Sequence, residues 1–173
     1  MTNLPIPESY WVEENRLLAG EHPSSYDLET TRRRMNAFLE AGINTFIDLT
    51  QSHELIPYET IMKEQARIYV VDAVYHRFGI RDHDVPSRET MAAVLDTIDD
   101  ALKAGRNVYV HCWGGVGRTG IVVGCHLVRH GNSNEQAIAR VNKLYKTRPY
   151  NPYFPHSPES NEQIEFVLNW REE

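Results

Sequence analysis

The sequence predicts a single α/β domain spanning residues 1–173, with a mainly parallel central sheet flanked by helices on both faces. Three observations carry that expectation. Strand-type and helix-type segments alternate along the chain, the pattern that buries a parallel sheet between helical layers. One apolar strand, Asn107 to His111, runs through a glycine-rich loop directly into the apolar helical segment Ile121 to Val128. And 173 residues at 41% hydrophobic content suffice for one well-buried core but are short for two.

In chain order, residues 1–26 contain Pro5, Pro7 and Pro23 around the short apolar stretches Tyr10-Trp11-Val12 and Leu17-Leu18-Ala19. They read as an N-terminal arm laid on the core, with a short edge strand or hairpin. Leu28, Met35, Phe38 and Leu39 then follow helical spacing, closed by Gly42, and Arg32, Arg33 and Arg34 fan over a solvated face of that helix. Ile43 to Leu49 is a strand, Thr50 to Pro57 a polar loop, Tyr58 to Ala66 a short helix, and Arg67 to Val71 a strand. A further extended piece, Ala73 to Ile80, leads into the turn-rich acidic run Arg81-Asp82-His83-Asp84-Val85-Pro86. Ser87 caps a helix whose Met91, Val94, Leu95, Ile98, Ala101 and Leu102 form one stripe, and Gly105 ends it.

After the glycine-rich loop and its helix, which stops at Gly131, Ser133 and Gln136 make a capping box for a helix carrying Ala137, Ile138, Val141, Leu144 and Tyr145. Residues 149–158 carry a proline every third position and read as a stiff connector. Ser157 with Pro158 then starts a last helix in which Gln163, Phe166, Val167 and Trp170 share a face.

The chemistry concentrates between His111 and Gly120. A short loop between a strand end and a helix N-terminus turns several backbone N–H groups and the positive helix end onto one point, a setting for a multiply charged anion. Gly114, Gly115 and Gly117 let the backbone of Trp113 to Gly117 curl, Arg118 can grip two phosphate oxygens through its planar fork, and Cys112 faces the same centre. That field favours a thiolate, so Cys112 is a candidate nucleophile. Composition narrows the partners. A formal net charge of −6 disfavours a nucleic-acid footprint or an anionic membrane surface. The N-terminus shows no export pattern, and a reactive thiol needs a reducing compartment, so a cytoplasmic location and a monomer are expected.

His111-Cys112, five residues, then Arg118-Thr119-Gly120 resembles the signature of the cysteine-dependent protein tyrosine and dual-specificity phosphatases. Ile80 to Pro86 resembles their mobile acid loop, in which an aspartate precedes a proline by a few residues. The resemblance implies a cysteinyl-phosphate mechanism, with Cys112 attacking phosphorus while the backbone of residues 113–118 and Arg118 hold the oxygens. It assigns Asp82 as general acid and then base, with Asp84 the competing candidate. Thr119 can donate its hydroxyl to the sulfur or cap the helix, and His111 orients the loop through hydrogen bonds. Gln163 resembles the glutamine that positions hydrolytic water in relatives, and a polar residue on an amphipathic helix is the equal alternative. Trp113 is expected to pack beneath the loop, and Tyr153 or Phe154 to stand on the pocket rim.

No cofactor or metal is expected, because the loop supplies the charge stabilisation a metal would give. His126 and His130 are four apart on a helix, as a metal pair would be, yet no third ligand stands nearby in sequence. Cys125 is expected in the core, a disulfide with Cys112 being the other reading. The resemblance implies lysines in this loop for phosphoinositide or inositol phosphate substrates, and this loop has none; it implies a basic surround for RNA 5′-triphosphates, which an acidic chain does not offer, so a phosphorylated protein or small phosphomonoester is expected. Phosphotyrosine is expected, with phosphoserine and phosphothreonine open. The alternatives are an inositol lipid or inositol phosphate phosphatase and a non-catalytic phosphate-binding module.

Overall fold

The computed structural model describes residues 3–173. Five strands, β1 (Ser9–Glu13), β2 (Leu17–Gly20), β3 (Thr45–Asp48), β4 (Val74–Arg77) and β5 (Val108–His111), form one sheet in the order β1-β2-β5-β3-β4. Only the β1/β2 pair is antiparallel; β2/β5, β5/β3 and β3/β4 are parallel. The expected α/β architecture is what the chain adopts. The N-terminal hairpin goes further than an arm, because β2 is an inner strand that pairs with the central strand β5.

Among the described residues the helices are α1 (Leu28–Glu40), α2 (Glu59–Tyr69), α3 (Arg88–Lys103), α4 (Arg118–Arg129), α5 (Asn134–Tyr145) and α6 (Asn161–Leu168). Strand side chains alternate between two cores, as a period of two requires. Leu17, Ala19, Ile47, Val108 and Val110 pack with α3, α4, α5 and α6. Leu18, Phe46 and Tyr109 pack with α1 and α2 on the other face. With β5 buried along its whole length, its C-terminal end at His111 opens onto the loop that the rest of the fold surrounds. Met91, Val94, Leu95 and Ile98 of α3 are fully buried, each stabilising the fold by about 1.5–3 kcal/mol relative to exposure.

Two sequence expectations fail locally. Arg67 to Val71 is not a strand: α2 continues to Tyr69 and ends at Val70 in the left-handed conformation, φ 55°. Its Ile68, Tyr69 and Val70 look strand-like in sequence but lie exposed, so no sheet claims them. The last helix begins at Asn161, not at Pro158, because Ser160 and Gln163 supply a complete capping box there. Ser157 is instead buried and donates to the Val116 carbonyl at 2.6 Å, next to a cis Ser157–Pro158 bond. Leu28 is exposed at the head of α1, while Met35, Phe38 and Leu39 are buried as their spacing requires. Among the described residues no helix is long and apolar enough to cross a membrane.

Candidate active site

The loop from Cys112 to Gly117 joins β5 to α4, and six consecutive carbonyls on it are bonded. Cys112 O accepts from His111 Nδ1 at 3.0 Å, Trp113 O from the His22 amide at 2.8 Å, and Gly114 O and Gly115 O from Arg148 Nη1 at 3.0 and 3.3 Å. Val116 O accepts from Ser157, and Gly117 O from the Ile121 amide at 3.0 Å. In a planar trans peptide the N–H points opposite to the C=O. Carbonyls bonded to the surrounding fold therefore turn the N–H groups of residues 113–118 to the loop's inner side. Gly115 makes the curl possible: its φ is +71°, and a Cβ there would collide with the Gly20 carbonyl of β2.

Cys112 is 3% exposed at the centre of this ring, and Thr119 Oγ1 donates to its Sγ at 3.0 Å. Of the two expected roles for Thr119, the contact to sulfur is the one seen. His111 is fully buried. Since a carbonyl only accepts, its Nδ1 carries the proton, which leaves Nε2 to accept from Tyr58 Oη at 2.6 Å. Burial lowers the His111 pKa and raises that of Tyr58, so a neutral ring and an intact phenol fit this arrangement.

Behind His111 lies a second buried layer. Asp48 Oδ1 accepts from the Thr50 amide and hydroxyl, and its Oδ2 from Tyr75 and Arg77 at 2.7 and 3.1 Å. Burial raises the Asp48 pKa, but His111 and the bonds from Thr50 and Tyr75 bring it down to about 2. His22, pushed down to about 3 by burial and then by His111, stands 3.9 Å from Asp48. Donor atoms of His22, Asp48 and His111 lie close enough for a cation. Tyr58 already holds His111 Nε2, Arg77 holds Asp48 Oδ2 and Ser24 holds His22 Nδ1, so the layer works as a hydrogen-bond network beneath the loop.

Arg118 is 1% exposed and its guanidinium is engaged on two sides. Glu54 takes it bidentately, at 2.8 and 3.0 Å, and Ile80 O accepts from Nη1 at 2.8 Å. Nη2 also donates to Asp82 Oδ1 at 2.9 Å. The expected acid thus sits on the expected phosphate clamp. Asp84 faces elsewhere: its Oδ1 accepts from the Val85 amide, and it is absent from the cavity lining.

The cavity over Cys112 encloses about 400 Å³ and is lined by Arg118, Asp82, His83, Glu21, Glu159, Trp113, Phe154 and the loop residues Gly114, Val116 and Gly117. Gly115, the other loop position expected to bind phosphate, is buried behind them against β2. Trp113 does not pack beneath the loop. It is 54% exposed and lines the cavity, because the close approach of Gly115 to Gly20 leaves no volume below for an indole. Phe154 is on the rim as expected, whereas Tyr153 points to solvent.

Gln163 is buried against Gly117 but occupied. Its Oε1 accepts from the Glu159 and Ser160 amides, and its Nε2 reaches Asp84 O at 3.4 Å. In this state it caps α6 and tethers the acid loop. Both cysteines are free, and Cys125 is fully buried with its thiol pushed well up by burial, which suits the core role. Glu54, Glu159, Glu21 and Arg148 carry no motif. Each comes from a loop brought in by the fold, and only the structure reveals them.

Comparison with known proteins agrees with this geometry. The model of a family described as "Polymorphic toxin system, DSP-PTPase phosphatase" matches residues 24–132. A mouse protein tyrosine phosphatase domain-containing protein 1 is 33% identical over 127 residues, 69% of this chain but only 17% of that protein. An Arabidopsis thaliana phosphatidylglycerophosphate phosphatase PTPMT1 is 32% identical over 100 residues, 57% of this chain and 28% of that one. The matched region thus spans less than a third of either relative. In structure, Tk-PTP in its active form superposes with a TM-score of 0.73 at 21% identity, over 93% of this chain and 94% of that one. With the phosphate loop, its cysteine and its arginine in place, the chain belongs to the polymorphic toxin system DSP-PTPase phosphatase family, within the cysteine-dependent tyrosine and dual-specificity phosphatase superfamily.

Proposed function

We propose that this chain hydrolyses phosphomonoesters in two steps through a cysteinyl-phosphate, with phosphotyrosine of proteins as substrate. The reading is carried by the convergence of Cys112, Arg118 and Asp82 on one cavity, with Thr119 bonded to the Cys112 sulfur. A substrate phosphate entering the loop takes Arg118 Nη2 from Asp82; the carboxylate, released from its ion pair beside the incoming anion, takes up a proton from solvent and turns to the leaving oxygen. Cys112 thiolate attacks phosphorus in line as the P–O bond to the leaving group breaks, and Asp82 delivers the proton. The loop N–H groups and Arg118 hold the three remaining oxygens through both steps. Asp82, now ionised, takes a proton from the water that attacks phosphorus. The P–S bond breaks, and Thr119 Oγ1 donates to the departing thiolate. A module that only bound phosphate would have no use for the thiol or the acid.

The lining supports the substrate class. Among the described residues, Arg118 is the only lysine or arginine side chain that lines the cavity, against the carboxylates of Asp82, Glu21 and Glu159. Additional phosphates on an inositol ring would face those carboxylates. A phenyl ring would stand between the exposed faces of Trp113 and Phe154. A second reading, a lipid phosphomonoester, rests on the phosphatidylglycerophosphate phosphatase relative and the same apolar rim. A panel of phosphotyrosine, phosphoserine and phosphothreonine peptides, phosphatidylglycerophosphate and phosphoinositides, assayed in EDTA, separates them. The highest kcat/KM on phosphotyrosine peptide is expected; a higher value on either lipid overturns the protein reading. A cytoplasmic, monomeric enzyme completes this proposal.

A further inference from the structure

At the far end of α4, some 12 to 18 Å along the helix axis from Arg118, a second cluster forms that the reaction does not use. His126 and His130 lie there with ring centroids 4.3 Å apart and planes tilted by 40°, and α3 supplies the group that sequence proximity does not show, Asp99. One donor atom from each of the three lies within 4.8 Å of the others. His130 Nε2 and Asp99 Oδ1 are 2.8 Å apart. Donors on a tetrahedral ion, each at about 2.0–2.2 Å from it, sit roughly 3.3–3.6 Å from one another. Opening the His130–Asp99 pair by about half an ångström and drawing in the His126 donor, at most 4.8 Å away, would admit one.

The protonation pattern suits a ligand. His126 Nε2 lies 3.2 Å from Glu13 Oε1, and an ionised carboxylate only accepts, so the proton is on Nε2. Nδ1 is then left with its lone pair, and it is buried with no hydrogen-bond partner among the described residues. A carboxylate bonded to the outer nitrogen of a histidine is the arrangement that orients metal-binding imidazoles. The surroundings are anionic as well. Asp96, Asp99 and Glu172 all converge on the single guanidinium of Arg129, and the carbonyl end of the α4 dipole favours a cation.

We propose that Asp99, His126 and His130 form a binding site for a divalent transition-metal ion of the zinc class. Bound there, the ion ties α3 to α4, the helix whose first residue is Arg118. It is a structural clamp remote from the phosphate loop, and water completes its coordination.

The test uses tag-free, chelator-stripped full-length protein carrying Cys112→Ser, so that the reactive thiol does not compete for metal. Zn²⁺ is titrated calorimetrically, and Co²⁺ is followed by its visible absorption. One ion per chain, tetrahedral Co²⁺ bands and a rise in Tm on adding Zn²⁺ are expected. His130→Ala, at an exposed position, and Asp99→Asn should each weaken binding at least tenfold and abolish the Tm rise. Asp96→Asn, which removes an Arg129 partner but no ligand, should keep both. Unchanged affinity in His130→Ala or Asp99→Asn, or equal loss in Asp96→Asn, overturns the site.

Discussion

Arg118 Nη2 donates to Asp82 Oδ1 at 2.9 Å, so in the free protein the phosphate clamp and the proposed general acid neutralise each other. Arg118 is almost wholly buried and also held by Glu54 and Ile80 O. The guanidinium is thereby fixed before any substrate arrives, with an acid-loop carboxylate bonded to its second amino group. Under the proposed mechanism, phosphate binding and release of the acid would be one event.

Asp82→Ala should therefore act in two opposite directions. With an alkyl or phenyl phosphate, kcat falls about 10²–10⁴-fold, because the poor leaving group loses its proton donor. Inorganic phosphate or vanadate binds more tightly, since Arg118 Nη2 no longer has a competing carboxylate. Asp84→Ala should leave both within a few-fold. Steady-state kinetics with product inhibition read both effects, and a collapse in Asp84→Ala alone would reassign the acid.

Glu54→Gln keeps the shape of the Arg118 partner and removes its charge. Unpairing one side of a buried ion pair costs up to about 3–5 kcal/mol, and here Asp82 and Ile80 O retain part of the contact. A Tm drop of several degrees and a kcat/KM loss of about tenfold or more are expected by thermal melt and aryl phosphate assay. Wild-type values for both would show that Glu54 does not position the clamp.

Arg148 acts on the loop from behind, through the carbonyls of Gly114 and Gly115. Arg148→Met preserves much of the stem and removes the donors, so those peptides are free to rotate and turn their N–H groups away. KM for aryl phosphate should rise, and kcat should fall about tenfold, with little change in far-UV circular dichroism. Kinetics equal to the parent would mean that the loop holds its shape unaided.

Acid should weaken the fold. His22, held near pKa 3 by burial, is neutral in the folded protein, while in the unfolded chain it titrates near 6.5. Between those values the unfolded state binds the extra proton, so stability is full above about pH 6.5 and declines as pH falls towards 3. The single group accounts for on the order of 2 kcal/mol between pH 7 and pH 5. His111 and His126, also lowered by burial, add in the same direction. Denaturant melts across pH 5–8 should show this slope, and His22→Gln should flatten it. An identical slope in that variant would place the titration elsewhere.

Much of this was readable from residue order because its causes are local. Cys112, Arg118 and Thr119 lie on one strand-loop-helix unit, so spacing alone brings them together. The α3 stripe and the Ser133 capping box depend only on helical periodicity. Glu54, Glu159 and Arg148 were not readable, since each reaches the loop from a segment 30 or more residues away and carries no pattern of its own. The strand misplaced at Arg67 to Val71 shows the same limit from the other side. Ile68 and Val70 have strand-type side chains, but which residues a sheet recruits is decided by its neighbours.

Covalent catalysis at Cys112 predicts a phosphorylated thiol that acid quench during turnover would trap. Protein mixed with an aryl phosphate in EDTA, quenched in acid within the first turnovers and digested for mass spectrometry, should carry a phosphoryl group on the peptide containing Cys112. Cys112→Ser should show neither that adduct nor turnover. Undiminished hydrolysis by Cys112→Ser, or an adduct on another residue, would contradict the account.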